Sequence, residues 1–337
     1  MTCADPRLPV TLITGFLGSG KTTLLSALLR RPEPERLAVV INEFGEVPLD
    51  QALIGLTKGQ VVVLSGGCLC CAIGGDVVST LLDLHRRREE NPFERVVIET
   101  SGLADPGPIL APLLQAPELT ALFRVDGVVA VVDALQGLRE LGRQRVCVKQ
   151  VALADRIVLS KSDIAAPLAV ARLRERLAKI NPWAPLVAAN HGAVDAAWLF
   201  DPVSPRPVSE HGSHDFTHSH GISAFCLWFD KPLSWEVFAR AVGKLTNSHG
   251  ESILRIKGLL NDGGRPVAVH GVQHFLHPAE PLEAWPDKER RSRVIVIADH
   301  LTEAEVRSFF PKRPYLKRVA RSKPSRQSRS EGGRDVM

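Results

Sequence analysis

The sequence has no long hydrophobic run. Its longest uninterrupted aliphatic stretch, residues 128–132, is about five residues long, whereas a helix that crosses a membrane needs about 20. The first residues carry no basic segment that leads into an apolar one, so a secretory signal is not predicted. We therefore expect a cytoplasmic protein with no membrane-spanning segment.

Aromatic residues are also scarce. They make up 5% of the 337 residues, with a single tyrosine, and the stacking of single-stranded bases needs clustered aromatic side chains. The net charge of +5 is concentrated after residue 311, where nine Lys and Arg accompany two acids. The rest of the chain is close to neutral, whereas nucleic-acid-binding domains normally carry a basic face. Nucleic acid is therefore not the expected partner.

Cysteine is sparse, but half of it is clustered. Three of the six cysteines are Cys68, Cys70 and Cys71. In a reducing compartment, clustered thiols indicate metal or redox chemistry rather than disulfides. Three neighbouring thiolates repel one another and are neutralised by a soft or borderline cation, with Zn²⁺ the default and Cu⁺ a competitor. The competing interpretation is that these cysteines are small buried residues.

The first 200 residues alternate apolar strand-like runs with amphipathic helical segments. The strands are apolar on both faces, as in a buried parallel sheet, and the alternation predicts a doubly wound α/β domain. The predicted strands are residues 10–14, 37–42, 61–64, 95–99, 127–132, 156–160 and 185–188, and the predicted helices are 21–30, 75–89 and 168–180.

Residues 15–22, GFLGSGKT, match the phosphate-binding pattern GxxxxGK[ST] in full. They follow a predicted strand and open a predicted helix, which is the context that the motif requires. Its backbone N–H groups and the helix N-terminus bind phosphate, Lys21 reaches the β- and γ-phosphates, and Thr22 holds Mg²⁺. The predicted nucleotide-binding residues of this loop are Gly15, Gly18, Ser19, Gly20, Lys21, Thr22 and Thr23.

A second strand end supplies an acid to the same site. The sequence ETSG at 99–102 follows an apolar strand, and Glu99 is expected to complete the Mg²⁺ shell. Gly102 lets a backbone N–H group approach the γ-phosphate, which distinguishes a triphosphate from a diphosphate. The expected catalytic residues are Lys21, Thr22 and Glu99.

The nucleotide base is predicted to be guanine. The sequence SKSD at 160–163 resembles the NKxD signature of GTPases, with serine in place of asparagine at 160. Asp163 accepts hydrogen bonds from guanine, and the stem of Lys161 covers the base. Ser160 lacks the amide that ordinarily ties this site together, so the sequence leaves open whether the selectivity for guanine is relaxed. The competing interpretation is a polar turn in which Asp163 caps a helix.

A break in composition divides the chain after about residue 205. Prolines and histidines crowd the following segment, which is typical of a linker. Beyond it we predict strands at 223–229, 252–256, 267–270 and 293–298 and helices at 234–245 and 303–310. The expected organisation is a P-loop domain at 1–205, a His-rich linker at 206–221, a smaller α+β domain at 222–312 and a disordered basic tail at 313–337.

Four histidines in the linker form a second candidate metal site. Neutral imidazole binds Zn²⁺ and Co²⁺, so a flexible loop could load metal before transfer to the thiols. A solvated linker that happens to be rich in histidine is the equal alternative, because short His tracts are only a compositional signal. The residues are His211, His214, His218 and His220.

In combination and in this order, the motifs resemble the CobW-type P-loop GTPases. That family includes zinc-transfer proteins, cobalt-handling proteins of cobalamin synthesis and nitrile hydratase activators. The similar stretches are TGFLGSGKTTLL (14–25), INEFGEVPLD (41–50), SGGCLCC (65–71), ETSGLADP (99–106), SKSD (160–163), HGISAFCLWFDKPL (220–233), RIKGLL (255–260) and VHGVQH (269–274). The resemblance extends to about residue 312 and leaves the basic tail unexplained.

The resemblance implies a GTPase that binds GTP or GDP with Mg²⁺ and transfers a metal ion, first of all Zn²⁺, to a client metalloprotein. It assigns Cys68, Cys70 and Cys71 to the metal site, with Glu43 and Glu46 as oxygen ligands. Glu43 and Glu46 belong to a switch segment, so metal affinity is expected to depend on the nucleotide state. Hydrolysis is expected to be slow. The resemblance leaves the oligomeric state open, with a homo-oligomer as one option.

Four alternatives to zinc transfer remain. Within the family, the metal could be Co²⁺ for cobalamin synthesis or the metal of nitrile hydratase. A small-molecule kinase also uses a P-loop, but it requires neither SKSD nor the thiols. An RNA-associated GTPase is suggested only by the basic tail.

Overall fold

The computed structural model describes residues 5–31, 36–41, 75–201 and 219–310. The predictions for a strand at 61–64 and for the tail at 313–337 lie outside these ranges. None of the helices described is long and apolar enough to cross a membrane.

Within the described residues of the first part of the chain, six parallel strands form one sheet. They are β1 Leu8–Thr14, β2 Leu37–Ile41, β3 Arg95–Glu99, β4 Phe123–Asp133, β5 Arg156–Ser160 and β6 Leu186–Ala189. Within the described ranges the strand order is β2-β3-β1-β4-β5-β6, and every neighbouring pair is parallel. The predicted α/β fold is therefore confirmed, and β1 lies in the interior of the sheet.

Alternate residues of each strand pack into two separate apolar clusters, one on each face of the sheet. On one face Ile13 and Val129 pack with Leu24, whereas Leu12 and Val128 belong to the cluster on the other face. This explains why the strands are apolar throughout: both faces are covered. The helices of this part are α1 Lys21–Leu29, α2 Gly75–Arg86, α3 Gly107–Gln115, α4 Pro117–Thr120, α5 Gly137–Arg143, α6 Arg145–Leu153, α7 Pro167–Ile180 and α8 Ala196–Phe200.

Several of these elements differ from the sequence predictions. Strand β4 begins at Phe123 rather than at residue 127, because Phe123 is buried and pairs with Leu8 of β1. Helices α3 to α6 and α8 were not predicted. Proline or buried polar residues interrupt their apolar positions and obscure the helical period. Examples are Pro112 in α3 and the buried Gln150 in α6.

A second, antiparallel sheet follows. Its strands are β7 Ile222–Phe229, β8 Ile253–Asp262, β9 Arg265–Val272, β10 Phe275–Leu276, β11 Glu280–Pro281 and β12 Ser292–Asp299, and its helices are α9 Trp235–His249 and α10 Glu303–Ser308. In the described chain the order is β10-β9-β8-β12-β7, with β11 beside β9. Phe238 and Leu245 of α9 belong to the same apolar cluster as Val294 and Val296 of β12. Strand β8 is longer than predicted because it pairs with β9 and β12 along its length.

The two sheets are joined by a buried cluster of charged side chains. Asp155, between α6 and β5, forms ion pairs with Arg255 and Lys257 of β8, and its second oxygen accepts a hydrogen bond from Val128 N at 2.9 Å. Burial alone raises the pKa of Asp155, but the two cations hold it well below its usual range. Burial lowers the pKa of Lys257 to about 8, against the opposing effect of Asp155.

Two histidines extend this cluster and make it sensitive to acid. Burial and the neighbouring Lys257 and Arg255 charges lower the pKa of His270 to about 3. Burial, followed by the Arg255 charge, lowers the pKa of His277 to about 4. Both imidazoles are therefore neutral in the folded protein at pH values where the unfolded chain, with a pKa near 6.5, binds protons.

We expect the free energy of unfolding to decrease as the pH is lowered below about 6.5. The unfolded state then binds more protons at His270 and His277 than the folded state does, and stability falls in that direction. Thermal unfolding between pH 7.5 and 5.5 would measure this as a falling Tm. The double variant His270→Gln/His277→Gln should lose less Tm over the interval, whereas the exposed control His191→Asn should behave like the unaltered chain. An equal loss in the double variant would contradict this assignment.

Candidate functional site

The loop after β1 is shaped by contact with the neighbouring strand. Gly15 has φ +141°, and a Cβ atom there would lie 2.2 Å from Val131 O of β4. Only glycine fits this approach. Gly20, also with positive φ, leads directly into α1, which is held on the sheet by its buried Leu24, Leu25 and Leu28. The sequence thus folds into the strand–loop–helix arrangement of a phosphate-binding site.

Lys21 places a buried cation at the centre of this loop. Its side chain is at the start of α1 and the residue is only 8% exposed. The Lys21 Nζ donates to Gly15 O at 3.0 Å and to Phe16 O at 3.2 Å. The ammonium group and the N-terminus of α1 together favour an anion at this position.

A hydrogen bond joins the start of α1 to the end of β3. Thr22 Oγ1 donates to Glu99 Oε1 at 2.8 Å. A hydroxyl and a carboxylate are hard oxygen donors, which are the ligands that Mg²⁺ prefers in proteins. The chemistry of this pair therefore fits Mg²⁺.

The segment after Glu99 lies directly against the phosphate loop. A Cβ atom on Gly102 would lie 2.6 Å from Leu17 N, so only glycine fits here as well. Between the two segments is a cleft of about 390 Å³, a volume typical of small-ligand sites. Its lining residues are Leu17, Gly18, Gly20, Lys21, Thr22, Thr23, Ile41, Glu99, Thr100, Ser101, Gly102 and Lys161.

The SKSD segment contacts the phosphate loop from the other side. Ser160 Oγ donates to Ser19 O at 2.6 Å, so the serine hydroxyl does tie the two segments together although the expected amide is missing. Lys161 has φ +55°, and its Nζ donates to Gly18 O at 2.9 Å and to Asp133 at 2.7 Å. Asp163 is exposed and is not among the residues that line the cleft.

Several predicted metal ligands lie outside the described residues. They are Glu43, Glu46, Cys68, Cys70, Cys71, His211, His214 and His218. His220 is described: it has φ +71°, and its Nε2 is buried with no hydrogen-bond partner among the described residues. Within those ranges, no group of three or more His, Cys, Asp or Glu is placed to hold a metal ion.

Two residues that shape the site, Asp133 and Gln150, were not predicted from the sequence. Asp133 ends β4, is 4% exposed, and holds Lys161 through its Oδ2; an acid directly after a buried strand was the available signal. Gln150 of α6 is 1% exposed and contacts the segment that contains Gly102. A polar residue inside an apolar helical segment could have indicated it, but α6 itself was not predicted.

The chain matches two family descriptions in tandem. Residues 9–188 match the CobW/HypB/UreG nucleotide-binding domain, and residues 222–312 match the cobalamin synthesis protein cobW C-terminal domain. The two matches lie on the two parts of the chain that contain the parallel and the antiparallel sheets.

Relatives match along most of the chain. The zinc chaperone YjiA of Escherichia coli is 36% identical over 313 residues, which cover 90% of this chain and 98% of the relative. The zinc chaperone CobW of Pseudomonas aeruginosa is 32% identical over 342 residues, 89% of this chain and 90% of the relative. The crystal structure of Zn(II)-bound YjiA GTPase from E. coli superposes with a TM-score of 0.68 at 32% identity and covers 90% of this chain and 98% of that one.

We expect Lys21→Ala to abolish triphosphate binding while the protein stays folded. The substitution removes the cation that the loop holds over the anion position, together with its hydrogen bonds to Gly15 O and Phe16 O. Phe16 O still accepts a hydrogen bond from Ser19 N at 3.1 Å, and the buried leucines of α1 still hold the helix on the sheet. Binding of a fluorescent GTP analogue measures the effect. The control is Lys179→Ala, which removes a partly exposed lysine paired with Glu175 and should leave binding unchanged. Retained affinity in Lys21→Ala would contradict the role of this lysine.

Proposed function

This chain belongs to the CobW/HypB/UreG family, and we propose that it is a GTPase that couples GTP binding and hydrolysis to the transfer of zinc to a client protein. The observation that carries the proposal is the cleft between the phosphate loop and the 99–102 segment, in a chain 36% identical to a zinc chaperone. The clustered thiols and the reducing environment they need support a cytoplasmic location.

The proposed chemistry at the cleft is phosphoryl transfer to water. Lys21 and the N-terminus of α1 hold the terminal phosphates, and Thr22 with Glu99 holds Mg²⁺. When bound, Mg²⁺ neutralises the charge that develops on the β- and γ-phosphate oxygens. Gly102 brings its backbone close enough to the phosphate loop to distinguish GTP from GDP.

Hydrolysis by this site is expected to be slow. The residues that line the cleft in the described part of the chain include neither arginine nor glutamine. Such groups stabilise the transition state or orient the attacking water, and an arginine finger contributes about 10³–10⁵ in rate. Slow turnover suits a switch, because the GTP state then lasts long enough to govern the metal.

The zinc site of the proposal rests on the sequence. Cys68, Cys70 and Cys71 supply soft thiolate ligands, and Glu43 or Glu46 supplies an oxygen from the switch segment. All of them follow predicted or observed strands of a parallel sheet, whose carboxyl ends lie at one edge. A γ-phosphate at that edge could reposition the carboxylate relative to the thiols and so change the affinity for zinc.

Guanine selectivity is testable at Asp163. Asp163→Asn should weaken GTP binding far more than ATP binding, because the carboxylate accepts hydrogen bonds from the guanine N1–H and 2-amino groups, which adenine does not offer. Binding of both nucleotides to the unaltered chain and to the variant measures this. Ser160→Ala serves as the comparison variant, because it removes the hydrogen bond to Ser19 O but none of the predicted contacts with the base. Equal GTP and ATP affinity in the unaltered chain would refute the assignment to guanine.

Zinc binding and its coupling to nucleotide are testable at the thiols. Cys70→Ser/Cys71→Ser should remove high-affinity Zn²⁺ binding and leave GTP binding largely unchanged. In the unaltered reduced chain, Zn²⁺ affinity should differ about 5–150-fold between GDP and a non-hydrolysable GTP analogue, with the same factor for the effect of Zn²⁺ on the nucleotide. Competition with a zinc indicator provides the measurement, and Co²⁺ titrated in parallel tests the cobalt alternative.

The two cysteines in the described part of the chain, Cys147 and Cys226, provide the matched control. Burial raises the pKa of Cys147 to about 12 and that of Cys226 to about 11, so both are protonated at neutral pH and are poor zinc ligands. Cys147→Ala/Cys226→Ala should therefore keep the zinc affinity of the unaltered chain. Equal affinity in the two nucleotide states would refute the switch, even with Cys68, Cys70 and Cys71 established as ligands.

A further inference from the structure

Gln150 is a fully buried amide that has no place in the proposed chemistry. It lies in the middle of α6 and is 1% exposed. Its Nε2 donates to Gly102 O at 3.2 Å and to Ala104 O at 3.1 Å. Both hydrogens of the amide are therefore directed at one short segment, the one that follows Glu99.

That segment is compact and borders the phosphate loop. Ala104 N donates to Ser101 O at 3.0 Å, which closes a tight turn over residues 101–104. Because a peptide group is planar, holding the Gly102 and Ala104 carbonyls fixes the orientation of one peptide plane inside this turn and of the plane that directly follows the turn. On its other side the turn presses Gly102 against Leu17. The position of Gly102 is thus set between Gln150 and the phosphate loop.

Helix α6 is itself held in place at both ends. Asn181 Nδ2 donates to Val151 O at 2.9 Å and to Ala154 O at 2.8 Å at the C-terminal end of the helix. Arg145, its first residue, pairs with Asp299 of the second sheet. A side chain in the middle of such a helix has a fixed origin from which to hold a loop.

A second contact joins the same helix to the same segment. Lys149 Nζ lies 2.9 Å from Asp105 Oδ2, and Asp105 Oδ1 accepts a hydrogen bond from Gly107 N at 3.0 Å. Two consecutive side chains of α6 therefore hold two consecutive parts of the loop, one by an amide and one by an ion pair.

We propose that Gln150 is a positioning residue that presents the 101–104 turn to the terminal phosphate of a bound nucleoside triphosphate. The inference rests on the proposed function. An amide is suited to this role because its NH₂ group donates two hydrogen bonds. A carboxylate would only repel the two carbonyl oxygens, and an apolar side chain would leave them buried without partners.

The test compares triphosphate with diphosphate binding in Gln150→Glu and Gln150→Met. Both side chains match glutamine in length, but neither offers the two donors. We expect affinity for a non-hydrolysable GTP analogue and kcat for GTP hydrolysis each to fall about tenfold, while GDP affinity stays within about twofold. GDP has no γ-phosphate to meet the turn, so a loss confined to the triphosphate separates positioning from general damage.

Asn181→Ala is the matched control. This variant removes the hydrogen bonds that the Asn181 amide donates to carbonyl groups at the end of α6. These hydrogen bonds involve no residue of the 101–104 turn. Asn181→Ala should lower Tm at least as much as the Gln150 variants and leave the ratio of triphosphate to diphosphate affinity unchanged. The Lys149 side chain is partly exposed, so Lys149→Ala poses little risk to folding. This variant should shift that ratio in the same direction as the Gln150 variants.

Two results separate failure of this inference from failure of the proposed function. If the unaltered chain binds neither GTP nor GDP, the proposed function is wrong, and with it the inference. If the unaltered chain distinguishes the two nucleotides and the folded Gln150 and Lys149 variants keep its ratio, the inference alone is overturned. A parallel loss of GTP and GDP affinity in those variants would likewise overturn it.

Discussion

The hydrogen bond between Thr22 and Glu99 is the contact on which the site depends. The two residues are 77 positions apart in the sequence and meet at 2.8 Å, because β1 and β3 are adjacent parallel strands whose carboxyl ends lie at one edge. The close approach of Gly15 to Val131 on the other side of β1 depends on the same order of strands. The sheet therefore assembles the proposed phosphate and Mg²⁺ ligands as a direct result of strand pairing.

Helix α6 links this edge to the rest of the molecule. Its buried face belongs to the apolar cluster that continues into the second sheet: Val148 and Val151 of α6 are in the same cluster as Leu254 and Ile297. Its polar side chains contact the segment beside the cleft at one point and Asp299 at another. Helix α6 therefore contacts both the segment beside the cleft and the second sheet.

The contact between the sheets combines apolar packing with buried charge. Asp155 is fully enclosed and is stable there because Arg255 and Lys257 offset the cost of its desolvation. Removal of one partner from such a cluster leaves an uncompensated charge, so the arrangement tolerates few alternatives. This favours a defined placement of the second sheet against α6 and β4.

The sequence by itself determined the elements whose signals are local. The GxxxxGK[ST] loop, the acid at the end of β3 and the alternation of strands and helices were readable because glycine geometry and apolar periodicity act over a few residues. Only the tertiary structure decided which segments meet: that Ser160 Oγ replaces the missing amide, that Asp133 holds Lys161, and that Gln150 holds the turn after Glu99. Each of these contacts joins residues at least 28 positions apart, and such partners are chosen by the packing of the sheet and not by the sequence near either residue.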